Sequence, residues 1–254
     1  MRFSKLLLNS INRLINFIVI TSLVIAGLYA SYALWDNSLI YAAADNVQED
    51  MLKLKPEVED DSPSFEDLLA INPDVKGWII LDNTNIDHPI LQGETNLSYI
   101  NTDVYGDFSL AGSIFLDSRS NEDFKDNYSL LYGHHMDNSK MFGDLDLYKD
   151  GKFFRENDTG KLILPNRIYN LKILACLVVP SSEESIFVPG IWQDGIDDLI
   201  QFAKENPLHI NDKNINEAIK STNKSLKILA LTTCSSEFTD ARTVILTEMV
   251  PHNH

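Results

Sequence analysis

The chain has 254 residues, two cysteines and a formal charge of −16, a field that repels nucleic acid and anionic lipid headgroups. The negative field favours basic, lysine-bearing partners, although an acidic surface kept for solubility produces the same composition. The sequence has no tandem glycines, phosphate-binding loop, internal repeat or low-complexity tract, so nothing in it supports a nucleotide cofactor.

From Leu14 to Trp35 the chain is almost continuously apolar and carries no charge, matching the roughly 20 residues that cross a bilayer core. Arg2, Lys5 and Arg13 precede this run, and Asp36, Asp45, Glu49 and Asp50 follow it. The basic flank predicts a cytoplasmic N-terminus (1–13), a transmembrane anchor (14–35) and an extracytoplasmic remainder in the cell membrane. Ala42-Ala43-Ala44 offers a signal-peptidase-like site, but the apolar run exceeds the about 7 to 15 residues of a signal core, and length favours a retained anchor.

Residues 36–63 are acidic, without sustained alternation, and read as a partly helical stalk and linker. The globular domain is expected over 64–254, enough chain for one domain with a core. Ser64 can cap a helix with Asp67 at its third position, Phe65, Leu68 and Leu69 inward, and Pro73 as its stop. Short apolar runs bounded by turn residues then predict strands at Gly77–Leu81, Ile86–Leu91, Ser113–Leu116, Ser129–Tyr132, Lys161–Leu164, Tyr169–Val179, Leu226–Leu231 and Thr243–Met249. Helical pieces are expected at Ser139–Tyr148, about Ile196–Glu205 and Ile215–Ser221. The fold class is mainly β, a closed barrel with inserted helices behind one N-terminal membrane helix.

Three residues combine into possible chemistry. Cys234 follows an apolar strand and precedes Ser235, Ser236 and Glu237, which puts its sulfur at a strand end near solvent. A nearby cation favours the reactive thiolate, and Arg242 begins the next strand after a short turn. Taken alone, Cys234 is equally a packed structural thiol, and Arg242 a surface partner of Asp240. A fixed guanidinium beside a nucleophile is also suited to holding an oxyanion. His134 follows the Ser129–Tyr132 strand and the Gly133 break, where an imidazole can protonate a departing amine. Neighbouring residues of an extended chain face opposite ways, so His135 cannot share that cleft.

Other readings of these residue types are weaker. His134, His135 and Asp137, with distant His88, lack the convergent spacing of a zinc site, and no metal is expected. His252 and His254 read as a loose tail. Cys176 lies in the long apolar run Tyr169–Val179, so two free thiols are expected rather than a bridge.

In order along the chain, Phe65-Glu66-Asp67-Leu68-Leu69, Val75-Lys76-Gly77-Trp78, Tyr132-Gly133-His134-His135-Met136, Thr232-Thr233-Cys234 and Asp240-Ala241-Arg242 resemble the class B sortases. These are exported cysteine transpeptidases of Gram-positive bacteria. The resemblance covers roughly Ser64 to Val250, and the helical insertion before Lys227 favours class B over class A. It implies a sortase-like barrel and no cofactor. It also implies that Cys234 attacks a threonine carbonyl in the C-terminal sorting signal of a secreted protein, forming a thioester. His134 would then protonate the leaving amine while Arg242 stabilises the oxyanion or orients the signal.

The family uses no buried aspartate in a triad. The acceptor is an amine of the peptidoglycan cross-bridge or a pilin lysine, and the acidic domain leans toward pilin. Asn96, Ile100, Tyr132 and Thr233 match substrate-binding positions, and each is also compatible with packing or turn chemistry. Thr233 stands where class B members often carry serine. Outside the family, the same residues allow a membrane-tethered cysteine peptidase, in which water resolves the thioester. They also allow a non-enzymatic surface binding module in which Cys234 is structural.

Overall fold

The structure, a computed structural model, describes residues 2–57, 64–220, 226–233 and 241–252. Helix α1 (Arg2–Leu52) is long and apolar enough to cross a membrane. The chain divides into the units Met1–Ala43 and Ala44–His254. In the first unit the large apolar side chains from Leu7 to Leu39 are exposed. Any soluble surface would penalise such a stripe, whereas a hydrocarbon environment solvates it.

The second unit contains the last turns of α1, with Ala44 and Met51 buried. A short helix, α2 (Glu66–Ile71), and the strands β1 (Val75–Leu81), β2 (Asp87–Leu91), β3 (Ile114–Leu116) and β4 (Tyr128–Gly133) follow. Next come the small hairpin β5 (His135–Met136) and β6 (Lys140–Met141), a 3-10 helix (Gly143–Lys149) and α3 (Gly151–Glu156). Strands β7 (Thr159–Leu164) and β8 (Arg167–Pro180) lead to α4 (Glu184–Phe187), a second 3-10 turn (Pro189–Trp192), α5 (Asp197–Glu205), β9 (His209–Ile210) and α6 (Asp212–Lys220). The chain returns as β10 (Ile228–Thr233) and β11 (Ala241–Pro251).

Strand order runs β11-β10-β4-β3-β2-β1-β7-β8, and β8 also pairs with β11, closing an eight-stranded barrel. Closure removes the exposed edges that an open sheet would present. Alternation decides what each face touches. On β10, Leu229 and Leu231 join an interior cluster with Ile79, Leu131 and Ile245, whereas Ile228 and Ala230 join an outer cluster with Leu199, Ile200 and Ile215. A third cluster packs Trp78, Phe115 and Ile163 beneath Met51, Phe65 and Leu68. Burial on both faces explains why β10 reads as an unbroken apolar run.

All eight predicted strands are present, and they are the barrel. Three helical expectations change. Over Ser139–Tyr148 the chain makes β6 and a 3-10 helix instead, because a Cβ at Gly143 would meet the Met136 carbonyl at 2.1 Å. That close approach folds the chain back as a hairpin, which Asn138 and Ser139 turn with φ of 58° and 61°. Helix α6 begins at Asp212, ahead of the expected Ile215, because Asn211 accepts the Asn214 amide and caps it. At α2, Leu68 and the preceding Phe65 are buried but Leu69 is 40% exposed rather than inward, while the helix stops just ahead of Pro73 as expected.

Phe142, fully buried between the 3-10 helix and the barrel, is a direct test of this packing. Phe142→Ala is expected to lower the unfolding free energy by about 3–5 kcal/mol, measured by urea denaturation.

Candidate active site

The candidate site grows from one register. Strand β4 pairs in parallel with β10, and its last matched pair is Gly133 with Thr233. Those residues immediately precede His134 and Cys234. Cys234 lies outside the described residues, as do Asp240, read as a possible partner of Arg242, and His254. Arg242 is half-buried near the start of β11, which pairs antiparallel with β10 as far as Thr232 opposite Val244.

His134 is half-buried, and its Nε2 lies 2.7 Å from the Ile100 carbonyl oxygen. A carbonyl only accepts, so Nε2 carries the proton in this arrangement. Glycine is required on both sides of that contact. A Cβ on Gly133 would come within 2.4 Å of Ile114 and 2.7 Å of the Phe142 ring. Gly112 has φ of 58°, and a Cβ there would lie 2.2 Å from the Ile100 oxygen. The His134 carbonyl oxygen in turn accepts the Phe142 amide at 3.0 Å. The imidazole is therefore held at both its ring and its backbone.

The four residues read as substrate-binding have different surroundings. Ile100 supplies the carbonyl that orients His134, and its side chain packs partly buried against the third cluster, with Phe65 and Leu68. Thr233 is buried at the end of β10. Asn96 and Tyr132 converge on a residue that carried no sequence signal, Asp117. The Asp117 carboxylate accepts from Asn96 Nδ2 at 2.9 Å, Tyr132 Oη at 3.1 Å, and Arg119 Nε and Nη2 at 2.9 and 2.7 Å. Asn96 Oδ1 also accepts the Ser118 amide at 2.7 Å, so both ends of its side chain are engaged within the fold. The Tyr132 ring stacks on Phe115 with centroids 5.3 Å apart. Arg119 reaches the Phe187 carbonyl at 2.7 Å, connecting the floor of the site to the α4 insertion.

Burial by itself pushes the Asp117 carboxyl upward, but the hydrogen bonds from Arg119 and Asn96 outweigh it and hold it below the usual carboxylate range. A second carboxylate, that of Asp146, bonds the residue after His134. His135 Nε2 is 3.1 Å from Asp146 Oδ2, and Lys149 Nζ is 2.6 Å from Asp146 Oδ1. The His135 hydrogen bond, helped by Lys149, holds the Asp146 carboxyl well below its ordinary value.

The remaining candidates are structural. Cys176 is a free thiol, fully buried, and burial raises its pKa to about 12, which leaves it as an inert apolar side chain. His88 is buried and its pKa is lowered to about 4 by burial. Among the described residues no three His, Cys, Asp or Glu side chains converge as a metal site would require. His252 is not a loose tail, since its amide donates to the Ile168 carbonyl at 2.9 Å and its ring meets the Asn170 side chain at 3.0 Å.

No family model matches the chain. It is 27% identical over 191 residues to sortase B of Staphylococcus aureus, covering 74% of this chain and 75% of that protein. A crystal structure of a Streptococcus pyogenes class B sortase involved in pilus biogenesis is 33% identical with a TM-score of 0.65. The match covers 73% of this chain and 97% of that one. The structure of sortase B from Clostridium perfringens is 29% identical with a TM-score of 0.63, over 74% of this chain and 100% of that one. The shared closed barrel and these sortase relatives identify a cysteine transpeptidase of the sortase type. Within that type, the chain belongs to the class B sortases.

Both carboxylates are depressed below the unfolded aspartate value of about 3.9, so the stability they contribute is present above that pH and is lost as pH falls through their folded values. The unfolding midpoint of the wild type is expected to drop between about pH 5 and pH 3 more steeply than that of Asp117→Asn, followed by thermal circular dichroism. At neutral pH, Asp117→Ala should cost about 2 kcal/mol, since it strands the donors of Asn96, Tyr132 and Arg119.

Proposed function

We propose that this sortase is held in the cell membrane by the apolar part of α1, N-terminus inside and barrel outside, and joins secreted proteins to an amine. The basic residues Arg2, Lys5 and Arg13 ahead of the apolar run support that orientation. Cys234 is the nucleophile. Its thiolate attacks the threonine carbonyl carbon of a C-terminal sorting signal, the peptide C–N bond breaks, and His134 gives the departing nitrogen a proton. Arg242 holds the oxyanion of the tetrahedral intermediate or orients the signal. An acceptor amine then attacks the thioester and gives up its proton to His134, the thiolate leaves, and one amide has replaced another with no redox partner needed.

The observation that supports this reading is the parallel pairing of Thr233 with Gly133, the residues that precede Cys234 and His134 in the sequence. Of the substrate-binding expectations, Ile100 and Thr233 remain proposed cleft residues. Asn96 and Tyr132 remain proposed cleft residues as well, and both are also bonded to Asp117. The acceptor is an amine of the cell wall or of another pilin subunit, and the pilus role of the S. pyogenes relative supports the pilin.

Cys234→Ala is expected to abolish joining of a sorting-signal peptide to an amine, read by chromatography of the products. His134→Ala is expected to lower turnover by about 10² to 10⁴, and Arg242→Ala by about 10² to 10³, each keeping the wild-type far-UV spectrum. Joining by Cys234→Ala would overturn the assignment. Release of the cleaved peptide without transfer when amine is abundant would identify a peptidase instead.

A further inference from the structure

Asp146 touches the neighbours of two proposed catalytic groups at once. Its Oδ2 meets His135, the residue after His134, at 3.1 Å, and its Oδ1 accepts Thr243 Oγ1, the residue after Arg242, at 3.1 Å. The link extends further, because the Thr243 carbonyl accepts Thr232 Oγ1 at 3.2 Å, two residues before Cys234. Thr243 and Thr232 are buried, so the bond between them is shielded from competing water. The 3-10 helix that carries Asp146 packs on both β10 and β11.

Alternation gives the geometry its meaning. Neighbouring residues on extended chain point to opposite sides. His135 reaching Asp146 therefore directs His134 toward the Ile100 carbonyl, and Thr243 reaching Asp146 directs Arg242 to the opposite face of β11. One carboxylate thereby sets the facing of both groups. We propose that Asp146 is a positioning residue for the transpeptidation, tying the His134 chain to the Arg242 strand through His135 and Thr243. The role rests on the assignment of Cys234, His134 and Arg242 to the reaction. It uses Asp146 as a clamp outside the cleft, not as a third member of a proton relay.

The test uses the folded enzyme, a sorting-signal peptide and single-turnover acylation of Cys234, with KM and the thermal midpoint measured in parallel. Asp146→Ala and Thr243→Val are each expected to slow acylation at saturating peptide by about tenfold or more, since small misplacements of reacting groups cost this much, while KM stays within about twofold. The double variant is expected to be no slower than the worse single variant, because both substitutions cut the same tie. Lys149→Ala, which removes the ion pair of Lys149 with Asp146 and leaves the tie, should acylate at the wild-type rate, as should Asp123→Ala on a remote exposed loop. Unchanged acylation in Asp146→Ala and Thr243→Val, multiplicative losses in the double variant, an equal loss in Lys149→Ala, or rate losses that only follow the fraction unfolded would each overturn the positioning role. A wild-type enzyme that forms no adduct would overturn the reaction assignment itself, which the variants' behaviour alone does not.

Discussion

The architecture depends on one pairing that the chain cannot make locally. Strands β4 and β10 run parallel, and parallel neighbours need a crossover rather than a tight turn. Here the crossover takes in the β5/β6 hairpin, β7, β8 and the helices α3 to α6. Because β8 then pairs with β11, the same excursion that allows the parallel contact also closes the barrel. A barrel closed this way cannot slip its register at β4/β10 without moving apolar side chains from the interior to the helix-covered face. The end of that pairing, Gly133 beside Thr233, is where proposed chemistry and fold stability share one constraint.

Around that end, two aspartates do different work. Asp117 gathers Asn96, Tyr132 and Arg119, and through Arg119 reaches the backbone at Phe187. It connects the loop before β3, the β4 strand and the α4 insertion into one unit. Asp146 bonds His135, Lys149 and Thr243. Together they hold Tyr132 and His135 on either side of His134 in the sequence, and the Ile100 carbonyl holds the imidazole itself. A site ordered by packed glycines and charge-assisted hydrogen bonds needs little reorganisation when charge develops.

Much of the barrel was legible because its strands are short apolar runs between turn residues, and burial on both faces makes them stand out. The 139–148 stretch misled because its apolar spacing suits a helix, while the close contact of Gly143 with the Met136 carbonyl depends on a neighbour that periodicity does not reveal. His134 was legible through the Tyr-Gly-His break at a strand end, and Ile100 through family resemblance, although its carbonyl rather than its side chain touches the imidazole. Asn96 had the polarity of a ligand contact, but both ends of its amide are bonded to Asp117 and Ser118. Asp117 and Asp146 were illegible for a physical reason. An aspartate declares nothing without its partners, and those of Asp146 include a residue on β11, far along the chain.

Mass spectrometry of the folded wild-type protein incubated with a sorting-signal peptide tests the central claim most directly. The account predicts a covalent adduct carrying the peptide's N-terminal fragment on Cys234, none on the buried Cys176, and loss of the adduct when an acceptor amine is added. An intact protein with no adduct, or an adduct on Cys176, would contradict it.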